Sequence, residues 1–367
     1  MRLTLIISTL TSGGAERLMS LMANYWAGKG WQITLMTFDD GRELPFYKLH
    51  PAVRHVPLAI AAASTNPISA ALNNFRRIAV LRRAIRRSQP ENVISFMDTA
   101  NVLSLLASVG CSWPVTVSER IDPAFNPIGR VWTCLRRLLY PGAATLVVQT
   151  RAALSFFPPH IQRKGRVIPN PACAPSILGF GDRGVNGKLI VAMGRLTRQK
   201  GFDLLLHAFA KITAKHPDWS LVIWGEGEER AGLEKLRDEL QLRERVRFPG
   251  RTTEPIREMS QAGVFILSSR YEGFPNVLCE AMACGLPVIS FDCPSGPGEI
   301  IRDEVDGLLV PSGDVGALAS AMDRLVSHER DRHRLAARAT EVVERFSLER
   351  IMGMWEEVLL IATSSHS

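Results

Sequence analysis

Short apolar runs rich in β-branched residues alternate with longer amphipathic stretches along the whole chain. In the first half these runs are Leu3 to Ser8, Gln32 to Phe38, Asn92 to Phe96, Val115 to Ser118 and Thr145 to Gln149. In the second half they are Leu189 to Met193, Ser220 to Trp224, Arg245 to Phe248, Val264 to Ser268 and Val288 to Phe291. Such alternation predicts repeated βα units and parallel sheets. It is interrupted once, where Pro169-Asn170-Pro171-Ala172 and then Gly179, Gly181, Gly184 and Gly187 break both periodicities. Pro/Gly punctuation of this kind marks a linker, so the pattern predicts α/β domains at 1–170 and 188–346 with a linker at 171–187. Neither an internal repeat nor a low-complexity tract is visible.

Composition agrees. A chain of 367 residues fits two domains at roughly 100–200 residues each. With 46% hydrophobic and 22% charged residues, disorder and a disulfide scaffold are both poor descriptions. Cys111, Cys134, Cys173, Cys279, Cys284 and Cys293 form no CxxC pair and no zinc-ligand spacing, and are expected to be reduced core thiols of a cytoplasmic protein. The apolar run after Arg2 is too short for a signal peptide and is broken by Ser8 and Thr9. No run reaches the ~18 apolar residues of a membrane span. Charge is uneven: residues 1–170 hold 20 Lys and Arg against 8 Asp and Glu, the remainder 24 against 28. A basic first half implies an anionic partner for that domain.

The chemistry concentrates in Ser268 to Val288. A strand ends near Ser268, a loop carries Glu272 to Asn276, and a helix from about Val277 stops at Gly285, a fitting left-handed cap before Pro287. Glu272 and Glu280 are thereby predicted to face one pocket at the carboxyl edge of a sheet, where open α/β sheets bind ligands. The amides of Asn276, Val277 and Leu278 are expected to point at an anion, while the carboxylates accept from sugar hydroxyls. A glutamate near a helix start is by itself more often a partner of the helix dipole; the run as a whole argues for a site. Upstream, Gly194-Arg195 and Lys200-Gly201 bracket a strand-to-helix loop in which both cations reach one phosphate. Thr11-Ser12-Gly13-Gly14-Ala15-Glu16-Arg17 follows the first strand; it lacks the Walker lysine and the GxGxxG spacing, but its glycines permit close backbone approach.

Together, Gly13-Gly14-Ala15-Glu16, Gly194-Arg195 with Lys200-Gly201, and Glu272 with Glu280 resemble the retaining glycosyltransferases of the GT4 family. Ile168-Pro169-Asn170-Pro171, Gly296-Pro297-Gly298-Glu299 and Asp306-Gly307-Leu308-Leu309-Val310-Pro311 extend the resemblance over nearly the whole chain. It implies the GT-B fold, two Rossmann-like domains facing each other across a cleft, with a last helix in 347–367 returning to the N-terminal domain. It implies donor contacts from Gly13, Gly14, Arg195, Lys200, Gly273, Phe274, Asn276, Val277 and Glu280. Arg195 and Lys200 would hold the diphosphate, Glu280 the ribose and Glu272 the transferred hexose. The implied reaction is front-face and assisted by the substrate's own phosphate, without a metal or cofactor. Many relatives carry a histidine near the sugar; here Asp98 stands near that place, as a sugar or acceptor contact or as an ordinary helix cap. Glu119 and Arg120 are further acceptor candidates.

Other classes fit less well. A sugar-nucleotide epimerase would need no acceptor, an NAD-dependent dehydrogenase would need the dinucleotide fingerprint, and a nucleic-acid module would interleave arginine with aromatic residues. A UDP-sugar is the expected donor by family frequency, with Arg251-Thr252-Thr253 around the base. Phe75 to Arg87 predicts a helix with Arg76, Arg82, Arg83, Arg86 and Arg87 on one face and Ile78, Leu81 and Ile85 on the other. The ordinary reading is a solvated face. The unbalanced charge instead suggests an anionic membrane surface, with Arg130 to Tyr140, including Trp132, Arg136, Arg137, Leu138 and Leu139, as a second basic amphipathic segment. Some relatives that extend polyprenyl-pyrophosphate-linked glycans hold the acceptor pyrophosphate on a basic N-terminal helix, so the resemblance implies a lipid-linked acceptor at the cytoplasmic membrane face.

Overall fold

The computed structural model describes residues 1–61, 67–172 and 187–364. Most of the expected linker, with Gly179, Gly181, Gly184 and Cys173, lies outside the described residues. The chain divides into two compact units, one of Met1–Asn170 with Ile351 onward, the other of Pro171–Arg350.

In the first unit, seven parallel strands are β1 (Arg2–Ile7), β2 (Gln32–Thr37), β3 (Arg54–Pro57), β4 (Asn92–Phe96), β5 (Val115–Ser118), β6 (Thr145–Val148) and β7 (Gly165–Val167), in the order β3-β2-β1-β4-β5-β6-β7. Helices α1 (Gly14–Gly28), α2 (Pro67–Ser88), α3 (Asp98–Ser108) and α4 (Arg130–Leu139) connect them. All five residues of β4 are buried, because a parallel strand covered on both faces needs an apolar run and not an alternation. The helix Leu348–Ser364 completes this unit's core: Trp355 is fully buried beside Phe96, ring centroids 5.8 Å apart. Glu356 accepts from Trp26 Nε1 at 3.2 Å and Lys29 Nζ at 2.8 Å.

The second unit has six parallel strands: β8 (Leu189–Met193), β9 (Ser220–Trp224), β10 (Val246–Gly250), β11 (Val264–Leu267), β12 (Val288–Asp292) and β13 (Leu308–Pro311), ordered β10-β9-β8-β11-β12-β13. β3, β7 and β13 escape the sequence reading. Each is an edge strand of three or four residues, so it needs neither two apolar faces nor a full set of amides, and β13 tolerates Pro311.

In both sheets the strand order reverses beside the first strand, between β1 and β4 and between β8 and β11. Ligands of open α/β sheets bind outside the carboxyl ends at such switch points. Among the described residues, no helix is long and apolar enough to cross a membrane. Of the described cysteines, Cys279, Cys284 and Cys293 are core thiols as expected, but Cys134 is exposed on α4 and Cys111 half-buried.

Candidate active site

At the switch point of the second unit the loops leaving β8 and β11 are stitched together. Arg270 N donates to Gln199 O at 2.8 Å, Gln199 Nε2 to Tyr271 O at 3.0 Å, and Ser268 Oγ to Lys200 O at 2.9 Å. Arg270 clamps Asp203 with both guanidinium ends, at 2.8 and 2.6 Å. Burial would raise the Asp203 carboxyl, yet the guanidinium and nearby amides hold it below its ordinary value. Gly201 sits in the left-handed region (φ +62°), and a Cβ there would lie 2.1 Å from Ser268 O. No other residue permits that approach.

This stitching brings the sequence-predicted residues together. Lys200 Nζ donates to Glu272 Oε1 at 2.6 Å, with the two side chains only 14% and 7% exposed. Ser269 Oγ donates to the same oxygen at 2.5 Å. Arg195, on the same loop as Lys200, is exposed and unpaired among the described residues. Gly273 and Phe274 follow Glu272, and Ser295 Oγ meets Gly273 O at 3.4 Å. The helix Asn276–Ala283 starts immediately after, with Asn276, Val277 and Glu280 half-buried. One expected donor is already used: Leu278 N–H bonds to Pro275 O at 3.0 Å. Arg251-Thr252-Thr253 follows β10 at the same carboxyl edge. The sequence reading gave no role to Ser269, Asp203 or Arg270. Serine, aspartate and arginine in loops carry no distinguishing signal until two loops 70 residues apart are known to touch.

At the switch point of the first unit, Gly13 precedes α1 and Gly14 begins it. A Cβ on Gly13 would fall 2.0 Å from the Glu16 carboxylate, which folds back over it. After β4, Met97 adopts φ +76° and ψ 148°, a conformation costly for a non-glycine residue and typical of sites where geometry is imposed. It delivers Asp98 as the first residue of α3, half-exposed, accepting from Thr99 N at 2.5 Å and from Asn126 Nδ2 at 2.9 Å.

Glu119 and Arg120, read as acceptor contacts, are turned inward at 5% and 6% exposure. Glu119 accepts from Tyr140 Oη at 2.5 Å and lies 3.7 Å from Arg136; burial pushes its carboxyl up to about 7. Arg120 bonds Asn170 and Ser118 and stacks over Phe96, and burial lowers its guanidinium to about 9. On α2, Arg76, Arg83, Arg86 and Arg87 are exposed, but Arg82 donates to Val109 O at 2.9 Å. On α4, Arg136 does not join an outer basic face. It is buried over the rings of Phe156 and Phe157, while Val131 and Leu138 stand 70% and 71% exposed. Among the described residues, no group of three or more His, Cys, Asp or Glu is arranged to hold a metal.

Residues 13–171 match the glycosyl transferase 4-like domain, and residues 181–342 match glycosyl transferases group 1. The chain belongs to the group 1 glycosyltransferases, of GT4 type. It is 29% identical, over 98% of both chains, to the GalNAc-alpha-(1->4)-GalNAc-alpha-(1->3)-diNAcBac-PP-undecaprenol alpha-1,4-N-acetyl-D-galactosaminyltransferase of Campylobacter jejuni. Among solved structures it resembles sucrose-phosphate synthase from Thermosynechococcus elongatus (TM-score 0.83, 19% identity, 99% of both chains). It also resembles Anabaena HepE in complex with UDP (TM-score 0.75, 19% identity, 98% of this chain and 99% of that one). The glycosyltransferase thus has the GT-B fold.

Proposed function

We propose that this glycosyltransferase moves a hexose or N-acetylhexosamine from a UDP-sugar to a polyprenyl-pyrophosphate-linked glycan, with retention at the anomeric carbon and without a metal. The observation that carries the reading is the buried Lys200–Glu272 pair at a switch point, with Arg195 exposed on the same loop as Lys200. Donor binding exchanges this pair: the ammonium turns to the diphosphate, the carboxylate to hexose hydroxyls, and Glu280 takes the ribose. Arg195 and Lys200 then meet the charge that builds on the departing phosphate oxygens. The bond from the anomeric carbon to the phosphate oxygen breaks and the acceptor oxygen bonds from the same face. The acceptor's proton passes to the leaving phosphate oxygen.

On the acceptor side, Gly13 and Gly14 present backbone to the donor phosphate and Asp98 contacts sugar. Glu119 and Arg120 position that edge from within. The exposed Arg76, Arg83, Arg86 and Arg87 meet the acceptor's phosphates at the cytoplasmic membrane face. The undecaprenol-linked substrate in the Campylobacter relative's name and the UDP bound to HepE support this choice of partners. The test offers UDP-, GDP- and ADP-sugars with a prenyl-diphosphate-linked or a soluble glycan, and reads the product's anomeric configuration by NMR. Transfer from a UDP-sugar to the lipid-linked glycan, with the donor's configuration, is expected. An inverted product, or UDP release independent of acceptor, refutes the mechanism; equal transfer to the soluble glycan refutes the acceptor class.

A further inference from the structure

A groove of about 240 Å³ lies between α2 and the edge of the first sheet, away from both switch points. Its walls are Met36 of β2, Val56 of β3, Leu58 just beyond, and Val80 and Ala84 of α2. Arg54, Arg83 and Arg87 also line it, and among the described residues none of the three is paired with a carboxylate. Interiors are close-packed, and solvated arginines ordinarily lay their stems over the apolar surface beneath them; here the space between the arginines and that surface stays open. An apolar slot beside unpaired guanidinium groups has the complementarity of an amphiphile: hydrocarbon in the slot, phosphate on the arginines. The rim shares Arg83 and Arg87 with the basic face of α2, so slot and phosphate contacts form one continuous surface.

From this we infer that the groove binds the first isoprenoid units of the acceptor's lipid, next to its diphosphate. A cavity of ~150 Å³ holds a benzene-sized molecule, so there is room for roughly one to two isoprene units and not for a whole polyprenyl chain. The remainder of the chain stays in the bilayer. The enzyme therefore reads the carrier as well as the glycan, and distinguishes a prenyl diphosphate from a bare phosphate.

This rests on the lipid-linked acceptor proposed above, and is tested by binding alone, without transfer. Farnesyl diphosphate and inorganic diphosphate are titrated separately by calorimetry against the full chain, against Ala84→Trp and Val80→Phe, and against Arg54→Gln/Arg83→Gln/Arg87→Gln. Farnesyl diphosphate is expected to bind at least roughly tenfold more tightly than inorganic diphosphate. Ala84→Trp and the milder Val80→Phe erase that advantage while leaving the weak inorganic diphosphate binding in place. The triple variant loses both. UDP titrations confirm that each variant is folded. Equal affinity for the two diphosphates, or a filled groove that still prefers farnesyl diphosphate, overturns the inference. So does displacement of farnesyl diphosphate from the groove by phosphatidylglycerol vesicles at lower concentration than by farnesyl phosphate, which would assign the slot to a bilayer lipid. If the groove binds as expected but no lipid-linked glycan is elongated, the proposed reaction fails and the groove stands.

Discussion

Lys200→Met separates the two jobs that the Lys200–Glu272 pair performs. The substitution leaves the Glu272 carboxylate buried beside Ser269 without its cation. Breaking a buried ion pair from one side costs about 3–5 kcal/mol, because a charge remains without compensation. At roughly 2–4 °C per kcal/mol for a unit of this size, the second unit's transition should fall by roughly 6–20 °C. Adding Glu272→Gln removes the stranded charge, so the double variant should recover much of that loss, with a coupling energy of about 2–3 kcal/mol in the cycle. Activity should behave differently. Each single variant loses a charge-assisted contact to the donor worth about 1.5–3 kcal/mol, about 10- to 150-fold in kcat/KM, and the double variant should be worse than either. Calorimetric melting of the second unit, together with initial rates, reads both quantities. Stability losses that simply add, or activity that recovers in the double variant, would show that the pair is not the exchangeable contact described here.

Glu280→Ala should weaken UDP binding by roughly 10- to 150-fold, equivalent to about 1.5–3 kcal/mol; unchanged affinity by calorimetry removes Glu280 from the ribose. Activity should survive EDTA, since Arg195 and Lys200 answer the phosphate charge; complete loss restored by magnesium or manganese would contradict this. Glu119→Gln tests the buried carboxyl through pH. Unfolded, the group titrates near its ordinary 4.5; folded, near 7. Between these values the folded state keeps a proton that the unfolded state has lost. Stability therefore falls as pH rises through this window, and the penalty is complete above it, on the order of 3 kcal/mol. The variant lacks this pH dependence, so its stability relative to the parent should rise between pH 4 and pH 8, as read from melting curves of the first unit; a pH-independent difference would refute it.

Strands buried on both faces were legible because they are mostly apolar and rich in β-branched or aromatic residues; β4 and β11 are plain in the sequence. Edge strands were not, since Arg54-His55-Val56-Pro57 looks like loop until β2 is known to lie beside it. The Gly194–Gly201 and Ser268–Asn276 loops were legible as chemistry because charged residues and glycine sit together where a strand ends. Which residues hold them in place was not, because the Asp203–Arg270 clamp spans 67 positions. Helical periodicity placed Arg82 and Arg136 on basic faces. It could not report that the carbonyl of Val109 accepts from the first, or that Phe156 and Phe157 draw the second inward.

The burial of Trp355 against Phe96 also sets a schedule for synthesis. The first 170 residues leave the ribosome lacking a large piece of their core, and roughly 180 more must be made before it arrives. At about 5–20 residues per second, that is a wait on the order of 10–40 s with apolar surface uncovered. The second unit can close on itself during this interval, whereas the first cannot finish until translation reaches the helix that seals it. A substitution at Trp355 should therefore lower the yield of folded protein during expression more than its effect on the finished enzyme's stability would suggest.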